Sequence, residues 1–471
     1  MTTQTETPTA QGLPRPLLKI MLLVMLGALM IQLDLTMTTI ATRTWLRDFH
    51  TTLSVLQWIA TGYSLAMAVT IPLAGWALER FGARTVWLTC IGFFLVGSVL
   101  CGLAWSPGSL IAFRVLQGMG GGMVLPVGQA VLIQAAGPGM LGRVMAALGV
   151  PAMLGPVLGP VLGGVLVDDL NWRWIFFVNV PVCLAAMALS RSMPSRRAPG
   201  DSRLDMVGLL LLSPGSAAIV FGLAQTSTHG GFGSAHVLIP IAIGIALLVG
   251  FAVNALRTSR VPMIDLRLFG KRAFASASAA MFTSGFVVFS AMAVLPLYYQ
   301  IARGYSAQHA GLLLIPLGFG MGAALMVGGR LSDRVAPRVI ALAGLVLGSL
   351  GTLVYTQVSG DTSLVLLGFA QVVSGLGIGA TIVPIMTSAF VGLDPAAVPR
   401  ASSSVRIMQQ LGASFGSAVL LIITQNQLND HPHTTAGMAA AFGTTFWWIL
   451  GFTVVMLIPV LFLPGRQRKD S

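Results

Sequence analysis

Gly75-Trp-Ala-Leu-Glu79-Arg80-Phe-Gly82-Ala-Arg84 is a short charged stretch between two long apolar ones. It returns 254 residues later as Gly329-Arg-Leu331-Ser-Asp333-Arg334-Val-Ala-Pro-Arg338. Both copies hold an acid four places after the glycine, an arginine next to it and a second arginine four places further on. Two such matches at equivalent places between hydrophobic spans indicate an internal repeat. Repeated halves in a membrane chain point to a transporter with its binding site between them.

Composition sets the medium. Of 471 residues, 55% are hydrophobic and 9% charged, with a mean hydropathy of +0.85. A soluble chain carries about a quarter charged residues, so apolar runs with so few charges describe a helical protein that crosses a membrane many times. The 55 glycines and 25 prolines fit, since close helix packing uses small residues and neighbouring helices tolerate breaks. The net charge of +13 reads as the cytoplasmic excess of Lys and Arg, with no nucleic-acid partner. Cys90, Cys101 and Cys183 all fall in or beside apolar spans, as thiols packed among helices rather than a disulfide framework. No cleavable signal peptide is expected, and residues 1–16 read as a disordered cytoplasmic tail.

Fourteen spans are expected, at 17–41, 55–78, 86–104, 108–132, 143–167, 172–190, 205–225, 236–256, 274–301, 310–329, 339–357, 363–391, 402–425 and 440–463. With the N-terminus inside, all but five of the 27 basic residues fall on the cytoplasmic side. The exceptions are Arg43, Arg47, Arg173 and Arg303 outside and Arg114 within a span. Both termini are then cytoplasmic, in the inner membrane of a bacterium. The repeat matches spans 1–6 to spans 9–14, giving an all-α integral membrane protein arranged 6+2+6. Its parts are a six-helix bundle over 17–190, an inserted helix pair with basic flanks over 191–272, a second six-helix bundle over 273–463 and a cytoplasmic tail over 464–471.

Ionisable residues inside the membrane are scarce, which makes each one informative. Asp34 is the one acid well inside a span, and Arg114 the one arginine. At 1.5 Å per residue both lie roughly 10 Å below the outer surface, where they can face one another or a shared cavity. Such a carboxylate carries a proton or meets a cationic substrate; the plainer alternative is an ion pair that locks two helices. Gly149, Gly155-Pro156, Gly159-Pro160 and Gly163 lie in span 5, and the four-residue glycine spacing leaves one bare helix face for close approach. The prolines remove backbone donors and bend the span. In the repeated stretch, Gly75, Glu79, Arg80, Gly82, Arg84, Asp333, Arg334 and Arg338 are read as hinge and gate. Glu79 is placed near the N-terminal end of span 13, where Ser402 and Ser403 are expected as caps. By symmetry Asp333 sits at the start of span 5, near Arg143. Contacts of this kind, made in one state and broken in another, give alternating access its bistable element. Gln32, Gln57, Gln117, Gln129, Gln371, Gln409 and Gln410, with Arg406, are candidates for lining a substrate cavity, because buried amides need partners. All six histidines fall at or beyond the outer boundary, and no metal site is expected. No G-x-x-x-x-G-K-[ST] loop or membrane-embedded catalytic set occurs, so neither ATP as direct energy source nor an enzyme is expected, and no cofactor is called for.

With these residues in view, the chain resembles the major facilitator superfamily in its fourteen-span drug:proton antiporter branch, over nearly its whole length. Gly75–Arg84 looks like the signature loop between helices 2 and 3, with Glu79 where Asp is usual. Leu33-Asp34-Leu-Thr36 is similar to the helix 1 motif, and Arg114-Val-Leu-Gln117-Gly118-Met-Gly120 to the helix 4 motif, whose arginine is linked to proton transfer. The Gly149–Gly164 face resembles the antiporter motif of helix 5. Trp172-Arg173-Trp174 followed by Asn179-Val-Pro181 also fits. Gln409-Gln410-Leu411-Gly412 departs from the usual Arg-Gln-Leu-Gly, with Arg406 one turn earlier. The resemblance implies two six-helix halves rocking about a central cavity, with lipophilic cationic or aromatic compounds leaving as protons enter through Asp34. There a neighbouring cation favours the carboxylate while burial favours the acid. The implied partners are a small-molecule substrate, protons and the bilayer, with a monomer sufficient. A dedicated exporter of one metabolite or self-made antibiotic is the alternative within transport. A non-transporting membrane sensor or scaffold is the alternative outside it.

Overall fold

The computed structural model describes residues 14–51, 53–136, 140–193, 204–227, 232–258, 262, 264–331, 335–432 and 434–465, and among these no strand occurs. The expected tail over 1–16 and the tail over 464–471 lie mostly outside the described residues, as does most of the basic connection 191–203. Among the described residues nineteen α-helices follow one another. They are α1 (Arg15–Ile40), α2 (Thr42–Asp48), α3 (Leu53–Thr70), α4 (Leu73–Phe81), α5 (Ala83–Gly102), α6 (Pro107–Ala136) and α7 (Leu141–Val165). Then come α8 (Trp174–Phe177), α9 (Asn179–Leu189), α10 (Met206–Ala224), α11 (Ala235–Arg257), α12 (Arg272–Leu297) and α13 (Ala307–Leu312). The last are α14 (Ile315–Leu331), α15 (Pro337–Thr356), α16 (Leu364–Phe390), α17 (Val398–Asp430), α18 (Thr435–Val455) and α19 (Leu457–Leu461).

Among the described residues eleven helices are long and apolar enough to cross a membrane. The pair α3–α4, whose axes turn by 53°, is long and apolar enough to make a twelfth if it counts as one span. The turn falls at Pro72, which has no N–H to continue the helix. The two other expected spans correspond to α7, 25 residues long, and to the shorter apolar run Trp174–Leu189. Apolar side chains cover the outer surface. On α11, Leu238, Ile239, Ile243, Ile245, Val249 and Val253 are all exposed, an arrangement stable only against lipid. The chain is a multi-pass membrane protein.

Close helix contacts display the repeat directly. Gly118 and Gly122 of α6 lie against Tyr63 and Met67 of α3; Gly375 and Gly379 of α16 lie against Leu317 and Met321 of α14. Gly120 meets Cys90 and Phe94 of α5, as Gly377 meets Gly344 and Gly348 of α15. Gly97 faces Gln117 in the first set, and Gly351 faces Ser374 in the second. Gly155 and Gly159 of α7 press on Gln32 and Thr36 of α1, while Gly412 and Gly416 of α17 press on Phe282 and Phe286 of α12. Each correspondence keeps one register, so α1, α3, α5, α6 and α7 recur as α12, α14, α15, α16 and α17. At these points a side chain would collide with a neighbouring helix, which is why glycine holds both registers.

Between the repeats stands α10, paired with α11 through Gly215, Gly222 and Gly244. One side of α10 meets α3: Ser213 Oγ donates to the Val69 carbonyl at 2.7 Å, and Phe221 stacks on Trp58 at 5.5 Å. The other side meets α17, where Ile219 and Leu223 bury Ala418.

Candidate functional site

Asp34 comes from the middle of α1, Ser98 from α5, Arg114 and Gln117 from α6 and Asn179 from the start of α9. Helical spacing puts Arg114 and Gln117 on one face, three residues apart. Asp34 Oδ2 accepts from Arg114 Nη1 at 2.5 Å, and Oδ1 accepts from Gln117 Nε2 at 2.9 Å and Asn179 Nδ2 at 3.2 Å. Arg114 Nη1 also donates to Gln117 Oε1 at 2.7 Å. Ser98 Oγ accepts from Gln117 and Asn179 and donates its own hydrogen bond to the Phe176 carbonyl at 2.9 Å. The guanidinium lies 4.1 Å over the Tyr63 ring of α3. Asp34, Ser98, Arg114 and Gln117 are fully enclosed, so the pair interacts in a medium far less polarisable than water. Arg114 Nε and Nη2 and the Tyr63 hydroxyl have no partner in the same enclosure.

The second repeat carries an uncharged version of this site. Its register places Ser284 at the counterpart of Asp34, Thr352 at that of Ser98, Gln371 at that of Arg114 and Ser374 at that of Gln117. All four line a cavity of about 70 Å³. Gln371 Nε2 donates to the Tyr299 hydroxyl at 2.8 Å, leaving its Oε1 unpaired. Of these two matching clusters, the charged one lies in the first repeat.

At one end of the bundle the first hinge closes on α17. Gly82 caps α4 with φ +80°, the left-handed backbone that glycine adopts at least cost. Gly75 lets α4 approach the Arg400 backbone, since a Cβ at this position would stand only 3.2 Å from the Arg400 Cα. Glu79 takes both prongs of the Arg400 guanidinium, at 2.7 Å from Nε and 2.5 Å from Nη2, and Arg400 also donates to the Pro262 carbonyl. The expected capping by Ser402 and Ser403 does not occur: α17 begins at Val398, so both serines lie inside it, fully buried, and Arg400 meets the acid instead. Arg80 is exposed, Arg84 half-buried and Arg338 exposed, while Asp333 and Arg334 lie outside the described residues.

Arg406, which the count of basic residues puts on the cytoplasmic side, lies nine residues into α17. There Arg406 Nη1 donates to Gln409 Oε1 at 2.6 Å. The other amides scatter. Gln129 rests on Met145 of α7, Gln32 lies against Gly155, and Gln410 is half-buried one turn beyond Arg406. The side chains of Gln57, Pro156 and Pro160 lie outside the described ones. Gly149 meets Leu325 of α14, and Gly163 lies against Met37 of α1. Ser98 and Asn179 were not foreseen as members of the polar cluster. Asn179 sits in a quoted motif, but nothing in spacing shows that it turns toward Asp34. Among the described residues no cluster of His, Cys, Asp or Glu fits a metal ion.

Comparison with known proteins agrees with this architecture. The chain is 36% identical to the multidrug resistance protein B homolog of Mycobacterium tuberculosis H37Rv, over 94% of this chain and 89% of that one. It is 32% identical to the cephamycin export protein of Amycolatopsis lactamdurans, over 88% and 86% respectively. The proton:xylose symporter XylE superposes with a TM-score of 0.67 at 14% identity, covering 95% of this chain and 96% of the symporter, which shows a shared fold. The sequence profile of the Major Facilitator Superfamily matches residues 23–417. With that match over most of its length and repeated helices of the same fold, the chain belongs to the Major Facilitator Superfamily.

Proposed function

We propose that the protein is a proton-coupled exporter of lipophilic small molecules, working by alternating access between two six-helix bundles. The observation that carries the reading is the Asp34–Arg114 pair, fully enclosed and shared among α1, α5, α6 and α9. A proton arriving on Asp34 removes the counterion of Arg114. A buried guanidinium without its acid is strongly disfavoured. The cluster must then rearrange, and four helices move with it, so proton binding is converted into a change of helix packing. Export, rather than uptake, rests on relatives named for multidrug resistance and cephamycin export.

The 6+2+6 arrangement extends the same reading. Eleven crossings, the bent α3–α4, α7 and α8–α9 make fourteen, with α10–α11 as the inserted pair. The excess of basic residues sets the hinge-bearing end in the cytoplasm, in the inner membrane of a bacterium. The state described is then closed inside by Glu79 and Arg400. The register that matches Glu79 to Asp333 also matches Arg400 to Arg143. The cephamycin relative supports a second reading, a dedicated exporter of a self-made antibiotic.

The test is efflux of a fluorescent lipophilic compound from cells expressing wild type or D34N at matched levels, with and without a protonophore. Efflux abolished by both treatments supports the proposal. Efflux that survives D34N but not the protonophore moves the proton site elsewhere. Efflux indifferent to the protonophore refutes proton coupling.

A further inference from the structure

We infer that Arg406 is an anion-recognising residue of the substrate site, so that the exported compounds carry a carboxylate, sulfonate or other anionic group on an apolar body. The inference rests on the exporter reading above and deepens it.

Arg406 contrasts with Arg114 and Arg400, the two arginines whose ion pairs join helices of the bundle. Arg114 has Asp34, and Arg400 has Glu79. Arg406 lies nine residues into α17, is half-buried, and has no acid within ion-pair distance among the described residues. Its one hydrogen bond goes to the neutral Gln409. The Arg114 Nε and Nη2 are sealed in, whereas the Arg406 side chain is half-buried. An arginine in an apolar medium is retained only where something neutralises it. Here the protein supplies a fork open on its far side and no counterion, which is the complement of an anion.

The repeat says where this fork stands. The register that pairs Gly155 and Gly159 of α7 with Gly412 and Gly416 of α17 pairs Gly149 with Arg406. Gly149 marks a close approach of α7 to Leu325 of α14, across the junction between the two repeats. Arg406 occupies the same place on the opposite junction, where Ile407 packs near Ile71 at the bend of α3–α4. One junction is sealed by a glycine, and the other holds a long cation in its place. On α17 itself, Arg400 marks the face toward Gly75, and Gly412 and Gly416 mark the face on α12. At 100° per residue Arg406 and Gln410 fall between those faces. Lipophilic cations, the class first expected from sequence, would meet no free acid there, because Asp34 is enclosed and satisfied.

The test uses the purified full-length protein in lipid nanodiscs, with empty nanodiscs correcting for partition into lipid. The probes are 8-anilinonaphthalene-1-sulfonate, its uncharged analogue N-phenyl-1-naphthylamine, and ethidium. The wild type is expected to hold the sulfonate at least tenfold tighter than the naphthylamine. R406Q loses that tenfold and keeps its affinity for the naphthylamine, which also shows that it is folded; R406K retains part of the preference. Equal affinity for the two naphthalenes, a preference for ethidium, or sulfonate binding indifferent to R406Q overturns the inference. Protonophore-sensitive efflux of the naphthylamine, measured in parallel, reports on the exporter reading separately. Efflux without sulfonate preference leaves the exporter standing and removes the anion site. Sulfonate preference without any efflux leaves the anion site and removes the exporter.

Discussion

Breaking the Glu79–Arg400 pair opens the end of the bundle that it closes. Both oxygens of Glu79 are engaged, at 2.7 and 2.5 Å, and the two side chains are only 16% and 9% exposed. Removing one partner of a fully buried pair costs about 3–5 kcal/mol, because the other charge is left without compensation. The residual solvent at this site lowers that to about 2–3 kcal/mol. E79Q therefore shifts the closed-to-open ratio about 30- to 150-fold toward open. The charge swap E79R/R400E recovers part of the closed population. Spin labels on T85C and V339C, exposed positions at the starts of α5 and α15, report the separation by pulsed dipolar spectroscopy. The native Cys90, Cys101 and Cys183 are buried and stay unlabelled. Distance distributions that are identical in wild type, E79Q and R400Q would refute the reasoning, since the pair would then hold nothing shut.

In thermal unfolding, D34N and R114Q should each destabilise the protein by about 3–5 kcal/mol, and the double variant by clearly less than the sum; strict additivity would mean the two charges are uncoupled. Q117L should cost more than Q371L in the same assay. Gln117 ties Asp34, Arg114 and Ser98 together, whereas Gln371 contributes one hydrogen bond of about 1 kcal/mol and leaves an acceptor unpaired. Equal costs would contradict the asymmetry between the repeats. G159L should prevent α7 from seating on Thr36 of α1, read as loss of a monodisperse elution peak, while the exposed G451L should leave the peak unchanged.

Much of this was legible because membranes punish polar residues. The scarcity of intramembrane charge singled out Asp34 and Arg114 before any contact was known, and four-residue glycine spacing picked out the face of α7 that meets α1. The hinge copies gave the repeat and directed Glu79 to the start of span 13. What failed was the boundary of that span. Helix start signals in Asp394-Pro-Ala-Ala-Val-Pro-Arg-Ala-Ser-Ser are weak, and a shift of four residues turned Ser402 and Ser403 from caps into buried residues. The same earlier start puts Arg406 nine residues inside α17 rather than at its edge. The recruitment of Ser98 and Asn179 was not legible either, because a small polar residue in an apolar helix finds its partner only when the helices are assembled. The break at Pro72 was invisible for a similar reason: prolines sit inside α6, α12 and α16 without dividing them.

The placement of α10 has a mechanical consequence. Its grip on α3 is directional, through the Ser213 hydrogen bond to a carbonyl beside the Pro72 break, while its grip on α17 is made of Ile219, Leu223 and Ala418. A hydrogen bond resists shear because its energy falls steeply with angle and distance. Aliphatic contacts slide over one another at little cost, since their attraction is not directional. If the two repeats rock as proposed, α10 is expected to travel as freight on the first and skid along the second, keeping lipid tails out of the seam in both positions.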